Sequence, residues 1–166
     1  MEPERTNIEQ KLDKEIASFL SRFQRKDLQL PKKRAVTYSE FLSDKMLIIR
    51  AIREGIPYSL FHLIQHYTPF NENDWAWFLD ISTKSLQRYK QASKSFKPLQ
   101  SEKIIEMAEV TNIGLDVFGS MEKFKLWLHS PVYALGNLTP IELLKDSYGK
   151  EMVIGELTRI NHGILV

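Results

Sequence analysis

The chain's seven glycines are so unevenly distributed that they restrict its architecture before any other feature is considered. Gly55 alone precedes residue 114, whereas Gly114, Gly119, Gly136, Gly149, Gly155 and Gly163 all follow it. Glycine supplies the positive φ of tight turns and helix stops. The front of the chain should therefore be long helices, and the back short helices joined by tight turns. Capping signatures mark where helices begin. Thr6 with Glu9, Thr37 with Glu40 and Thr139 with Glu142 each pair a cap hydroxyl with a glutamate three residues on that can reach back to it. The expected fold class is all-α.

Ile8, Leu12, Ile16, Phe19, Leu20 and Phe23 recur at steps of three and four, one face of a helix ending near Phe23. That face has two possible covers, the chain's own core or a partner or second copy. Residues 24–36 turn basic, with Arg25, Lys26, Lys32, Lys33 and Arg34 around Pro31. This reads as an exposed linker, either simply solvated or touching phosphate. A helix from Thr37 carries Phe41, Leu42, Met46, Leu47, Ile49 and Ile52 and stops at Gly55 and Pro57. A further helix over residues 59–67 places His62 and His66 four apart, the spacing of two metal ligands. No third ligand stands at supporting spacing, so they read as structural or surface histidines, and no metal site is expected.

With 166 residues the chain can bury roughly 70% of its unfolded surface, enough for one domain or two small ones. It has no cysteine, which excludes a disulfide framework and thiolate metal sites. No apolar run approaches the roughly 20 residues of a membrane span, and the polar stretch 1–10 does not read as a signal peptide. A cytoplasmic chain without a membrane partner is the expectation. There is no glycine-rich phosphate loop and no nucleophile elbow, and His129 and His162 lack carboxylates at informative spacing. No enzyme activity and no cofactor are implied.

Residues 71–91 suit a helix-turn-helix. Asn71 can cap a helix with Trp75, Phe78 and Leu79 inward, Asp80 and Ile81 make a turn, and Ser82 or Thr83 caps a second helix holding Leu86 and Tyr89. The net charge of +2 says little by itself, but its distribution says more. From residue 80 to 103 six bases face two acids, a surplus of four, whereas from 120 to 166 five bases meet five acids. The basic part coincides with the second helix, as phosphate neutralisation requires. The candidates for DNA are Thr83, Lys84, Ser85, Gln87 and Arg88: Gln87 and Arg88 for base edges or phosphate, the others for phosphate. The alternative is a basic solvated helix that binds no DNA. Ile81, Ser82, Leu86 and Arg88 resemble the I-S-x-x-T-L-x-R run of Xre-type antitoxins, with Ser85 at the threonine position. The family's turn glycine is Asp80 here, a carboxylate that opposes a nearby phosphate.

The segment 127–164 is more specific. Ser130 and Pro131 end an apolar helix at Leu128, Gly136 and Asn137 make a turn, and Thr139-Pro140 opens a short helix running to about Ser147, with Gly149 as its left-handed stop. Met152, Val153, Leu157 and Ile160 should form one apolar stripe on the last helix. Trp127, Leu128, Pro131, Leu135, Pro140, Leu143, Leu144, Gly149, Val153, Leu157 and Gly163 resemble the toxin-binding domain of the Xre/MbcA/ParS-like antitoxins. Ser101, Val117, Phe118 and Gly119 extend the likeness, which runs from about residue 55 to 164. It implies an Xre-like helix-turn-helix module followed by a small helical toxin-binding domain. The corresponding boundaries are 1–36 for an N-terminal helix and linker, 37–112 for the DNA-binding module and 113–166 for the toxin-binding domain. The resemblance further implies an antitoxin of a type II toxin–antitoxin system that represses its own operon. Its partner would be a toxin, commonly a RES-domain enzyme that consumes NAD, inhibited by occlusion of the active site. Arg159, Asn161, His162, Ile164, Leu165 and Val166 are the residues expected at that cleft. Operator DNA and a second copy of the chain are the other expected partners, since helix-turn-helix proteins usually read two half-sites by symmetry. A stand-alone helix-turn-helix regulator without a toxin is the alternative reading.

Overall fold

The structure, a computed structural model, describes the backbone of residues 2–27 and 35–163 and the side chains of 7–22 and 35–163. Its helices are α1 (Glu2–Asp27), α2 (Tyr38–Ser43), α3 (Lys45–Glu54), α4 (Tyr58–His66), α5 (Glu72–Phe78), α6 (Thr83–Ala92), α7 (Pro98–Phe118), α8 (Met121–Leu128), α9 (Pro140–Leu143) and α10 (Ser147–Asn161), with a 3-10 turn at Tyr133–Leu135. Among the described residues the fold is all-α, with no strand beyond two isolated bridges. None of these helices is long and apolar enough to cross a membrane. The chain forms two compact units that interleave: Met1–Tyr67 with Thr83–Ile105, and Thr68–Ser82 with Glu106–Val166.

In the first unit, α1 packs on α4 and α2. Leu12 and Ile16 are fully buried and Phe19 and Leu20 nearly so, which settles the question left by the sequence: this face covers the chain's own core. Polar contacts fix its position. Asp13 accepts the Tyr38 N–H at 2.8 Å, the Ser59 hydroxyl donates to Glu15 at 2.6 Å, and the Tyr67 hydroxyl donates to Glu9. The helix starts before Thr6 and continues past Phe23 to Asp27, so the Thr6 signature lies inside it. Lys32, Lys33 and Arg34, and the side chains of Phe23, Arg25 and Lys26, lie outside the described residues.

The helix expected from Thr37 to Ile52 is two. Asp44, with extended φ of −110° and ψ of 99°, accepts from the Met46 and Leu47 N–H groups at 3.0 and 3.2 Å, while its own N–H caps α2 at Phe41. A short polar side chain that satisfies backbone donors itself competes with helix continuation. The buried hydroxyl of Ser101 closes this unit further on, accepting the Ile56 N–H at 2.9 Å and donating to the Phe96 carbonyl at 3.2 Å.

Tyr38 is buried edge-on to Tyr67, and its hydroxyl has no hydrogen-bond partner among the described residues. Burial first, and then Tyr67, pushes its ionisation far above the ordinary phenol range. A buried donor without an acceptor costs about 1–3 kcal/mol. Tyr38→Phe should therefore keep or raise stability, by up to about 1 kcal/mol in urea unfolding; a loss above about 1 kcal/mol would reveal a bond to that hydroxyl.

The second unit is built on aromatic clusters and short connections. Phe70, Trp75 and Phe78 meet edge to face with centroids 5.0–6.0 Å apart, and Phe118, Phe124 and Trp127 lie 5.5–6.3 Å apart. Helix α7 runs unbroken for 21 residues and ends at Phe118. Gly119, at φ +72°, and Ser120, which accepts the Lys123 N–H at 3.2 Å, then turn the chain into α8. Gly136 and Asn137 adopt φ of +70° and +62° in the expected turn, closed by the Val132 N–H to Leu138 carbonyl bond at 3.1 Å. Thr139 donates from its N–H and its hydroxyl to Glu142, at 2.8 and 2.6 Å, and these bonds hold the Glu142 carboxyl below its usual range.

Two expectations fail here. Gly149 is not a left-handed stop but the third residue of α10, where its missing side chain admits the backbone of Leu143: a Cβ would stand 1.8 Å from that carbonyl oxygen. The inward stripe of α10 is also narrower than its spacing suggests. Val153 and Leu157 are fully buried, whereas Met152 is 49% exposed.

Candidate functional site

Helix α6 presents the residues that sequence reasoning assigned to DNA. Leu86 is buried, and Tyr89 stacks on Phe96 with centroids 4.5 Å apart and planes 6° from parallel, which fixes the rotation of the helix. With those two residues inward, Thr83, Lys84, Gln87 and Arg88 are exposed and Ser85 is half-buried. Lys84, Gln87, Arg88 and Gln91 share one helix face by their spacing of three and four. Lys90, Lys94 and Lys97 are exposed beside them, so the charge surplus found in the sequence lies on the surface. Such a face can neutralise phosphates and offer amide and guanidinium donors to base edges.

Histidines 62 and 66 of α4 stand with ring centroids 4.5 Å apart. Burial, His66 and Lys90, in that order, hold His62 below the ordinary imidazole value, which favours its neutral form. Among the described residues no group of three potential ligands occurs anywhere in the chain.

The α5 turn shows why an aspartate can replace glycine. Asn71 and Asp74 exchange both bonds of a capping box at 2.8 and 2.9 Å. At the other end Asp80 takes φ +54°, its N–H donates to Trp77 at 3.3 Å, and the Ile81 N–H reaches back to Ala76 at 3.1 Å. That bonding is a Schellman stop, whose left-handed position aspartate tolerates better than most residues. Lys145, between α9 and α10, places its ammonium 3.8 Å from Asp80 and 5.1 Å from the centre of the Trp77 ring. The carboxylate is 91% exposed, so the ion pair is worth at most about 1 kcal/mol. Sequence spacing offered no signal for Lys145, which lies 65 positions from its partner.

Of the residues assigned to a toxin, Arg159 pairs with Glu156 at 3.2 Å and is 41% exposed, Asn161 is exposed, and the His162 ring lies against the Thr158 carbonyl at 2.9 Å. Ile164, Leu165 and Val166 lie outside the described residues. The pattern positions Leu128, Leu135, Leu144, Val153 and Leu157 are buried and build the platform, whereas Pro131 is exposed.

Residues 114–163 match the model of the antitoxin Xre/MbcA/ParS C-terminal toxin-binding domain. The chain is 28% identical over 115 residues to an antitoxin Xre of Photorhabdus laumondii subsp. laumondii, covering 69% of this chain and 78% of that protein. It is 31% identical over 85 residues to an antitoxin Xre of Yersinia enterocolitica, covering 51% of this chain and 57% of the relative. Residues 114–163 thus resemble the Xre/MbcA/ParS C-terminal toxin-binding domain, and the chain is similar to two antitoxins Xre.

Proposed function

We propose that this chain is the antitoxin of a type II pair: it binds a toxin through residues 113–166, occluding the toxin's active site, and represses its own operon through residues 37–112 as a homodimer. The match of residues 114–163 to a toxin-binding domain is the observation that carries this reading. The toxin is a RES-domain enzyme that consumes NAD, and Arg159, Asn161, His162 and residues 164–166 lie at its cleft. Arg159 and Asn161 close the last turn of α10, beyond the buried Val153 and Leu157. Deleting residues 159–166 should therefore leave the thermal transition within a few degrees of the intact chain while abolishing protection of cells that express the toxin. Retained protection would move the inhibitory contact elsewhere.

DNA binding is supported by the exposure of Lys84, Gln87 and Arg88 on a helix anchored by Leu86 and Tyr89. Arg88→Ala should weaken binding to the duplex upstream of the operon by about 1–3 kcal/mol, if its guanidinium reads a base, and leave toxin binding unchanged. A titration of that duplex by fluorescence anisotropy measures the first effect; unchanged affinity would remove α6 from the interface.

A further inference from the structure

Five of the exposed large hydrophobic residues lie within the toxin-binding domain: Leu126 at 71%, Tyr133 at 81%, Leu138 at 45%, Tyr148 at 84% and Met152 at 49%. Two of them begin a line along α10. Tyr148, Met152, Gly155 and Arg159 follow at steps of four, three and four, which puts them within one narrow arc of the helix. The inward arc is a different one, made by Gly149, Val153 and Leu157, all buried. The 3-10 turn that presents Tyr133 packs against α10.

Gly155 has no counterpart in the needs of the fold. It sits in the helix interior without a positive φ, and a Cβ built on it meets nothing within 4 Å among the described residues. Glycine in such a position weakens a helix relative to alanine. A local rule broken with no gain inside the fold points to a functional demand, and for glycine that demand is the close approach of another surface.

We infer that the Tyr148–Met152–Gly155–Arg159 face of α10 is the anchoring surface for the toxin, with an apolar ridge of the toxin lying over Gly155 between the Tyr148 ring and the Arg159 guanidinium. The inference rests on the toxin-binding reading and deepens it. The match to a toxin-binding domain supports a toxin as the occupant, and the chemistry of the face sets what that occupant offers: apolar side chains for Tyr148 and Met152, backbone or small residues opposite Gly155, and a carboxylate or carbonyl near Arg159. Exposed aromatic and arginine side chains are the types that dominate interface energetics when buried by a partner.

The test uses the full chain and the product of the gene adjoining its own, made by cell-free synthesis because its expression alone should stop growth. Gly155→Arg should fold with a transition temperature at or above that of the unaltered chain and bind the toxin at least about 100-fold more weakly, and Tyr148→Ala should bind at least about 10-fold more weakly. If the unaltered chain does not bind that product, the antitoxin reading falls and this inference with it. If it binds and Gly155→Arg binds within about threefold of it, the reading stands and the face is wrong. Light scattering on the chain alone separates the remaining occupant: a dimer that Gly155→Arg turns into a monomer would assign the face to a second copy and overturn the inference.

Discussion

Replacing Gly149 by alanine should unfold or severely loosen the C-terminal unit. The added Cβ would stand 1.8 Å from the Leu143 carbonyl oxygen, 2.7 Å from its carbonyl carbon and 3.0 Å from its Cα. These are backbone atoms held by the α9–α10 junction, so no side-chain rotation relieves the overlap. The two helices must separate, which strips packing from Leu144, Val153 and Leu157, each fully buried. Alanine is favoured over glycine in a helix by about 1 kcal/mol, but overpacking costs typically 1–3 kcal/mol and more when backbone must move. The net loss should be about 3 kcal/mol or greater, a fall of roughly 10 °C in transition temperature for a chain of this size. The same exchange two turns further along, Gly155→Ala, should change stability in the opposite direction by up to about 1 kcal/mol, because its Cβ enters open space. Thermal melts of the two variants side by side provide the check. A Gly149→Ala protein that melts within about 2 °C of the parent contradicts the packing described.

Removing the apolar contacts of α1 should have a comparably large effect on the other unit. Leu12 and Ile16 are both fully buried against a core that includes Phe61, Leu60 and Tyr38. Each leucine or isoleucine truncated to alanine in such a site costs about 2–5 kcal/mol, so the double variant should lose roughly 4–10 kcal/mol. Native domains hold only about 5–15 kcal/mol in total, so the first unit should be largely unfolded at 37 °C. Urea unfolding followed by far-ultraviolet circular dichroism measures this. A double variant with an unchanged midpoint would mean that α1 contributes nothing to folding and reserves its apolar face for a partner.

The parts of the fold that were legible in the sequence are those determined within four residues. The caps at Thr37, Asn71 and Thr139 hold, because the hydroxyl or amide, the helix N–H groups and the reaching carboxylate are neighbours in the chain. The inward placement of Leu86 and Tyr89, and with it the exposure of Lys84 and Arg88, follows from helical spacing alone. The remainder depends on contacts between elements. Gly149 looks like a stop until the Leu143 backbone is placed beside it, and Met152 fits a helical stripe that the packing of α10 does not use. Asp44 breaks a helix because its carboxylate competes locally, a signal present in the sequence but outweighed there by the apolar spacing around it. By sequence Asp80 is an electrostatic cost to phosphate binding; in the structure it is a left-handed helix stop paired with Lys145, a partner that no local pattern supplies.

The central claim is that this chain binds and neutralises a toxin. An affinity tag on the N-terminus, with the C-terminal residues left free, followed by mass spectrometry of what co-purifies from the native cells, tests it most directly. The account predicts one stoichiometric small protein, encoded beside this chain, that stops growth when expressed without it. Recovery of the chain alone, or with DNA only, would contradict the claim and favour a stand-alone regulator.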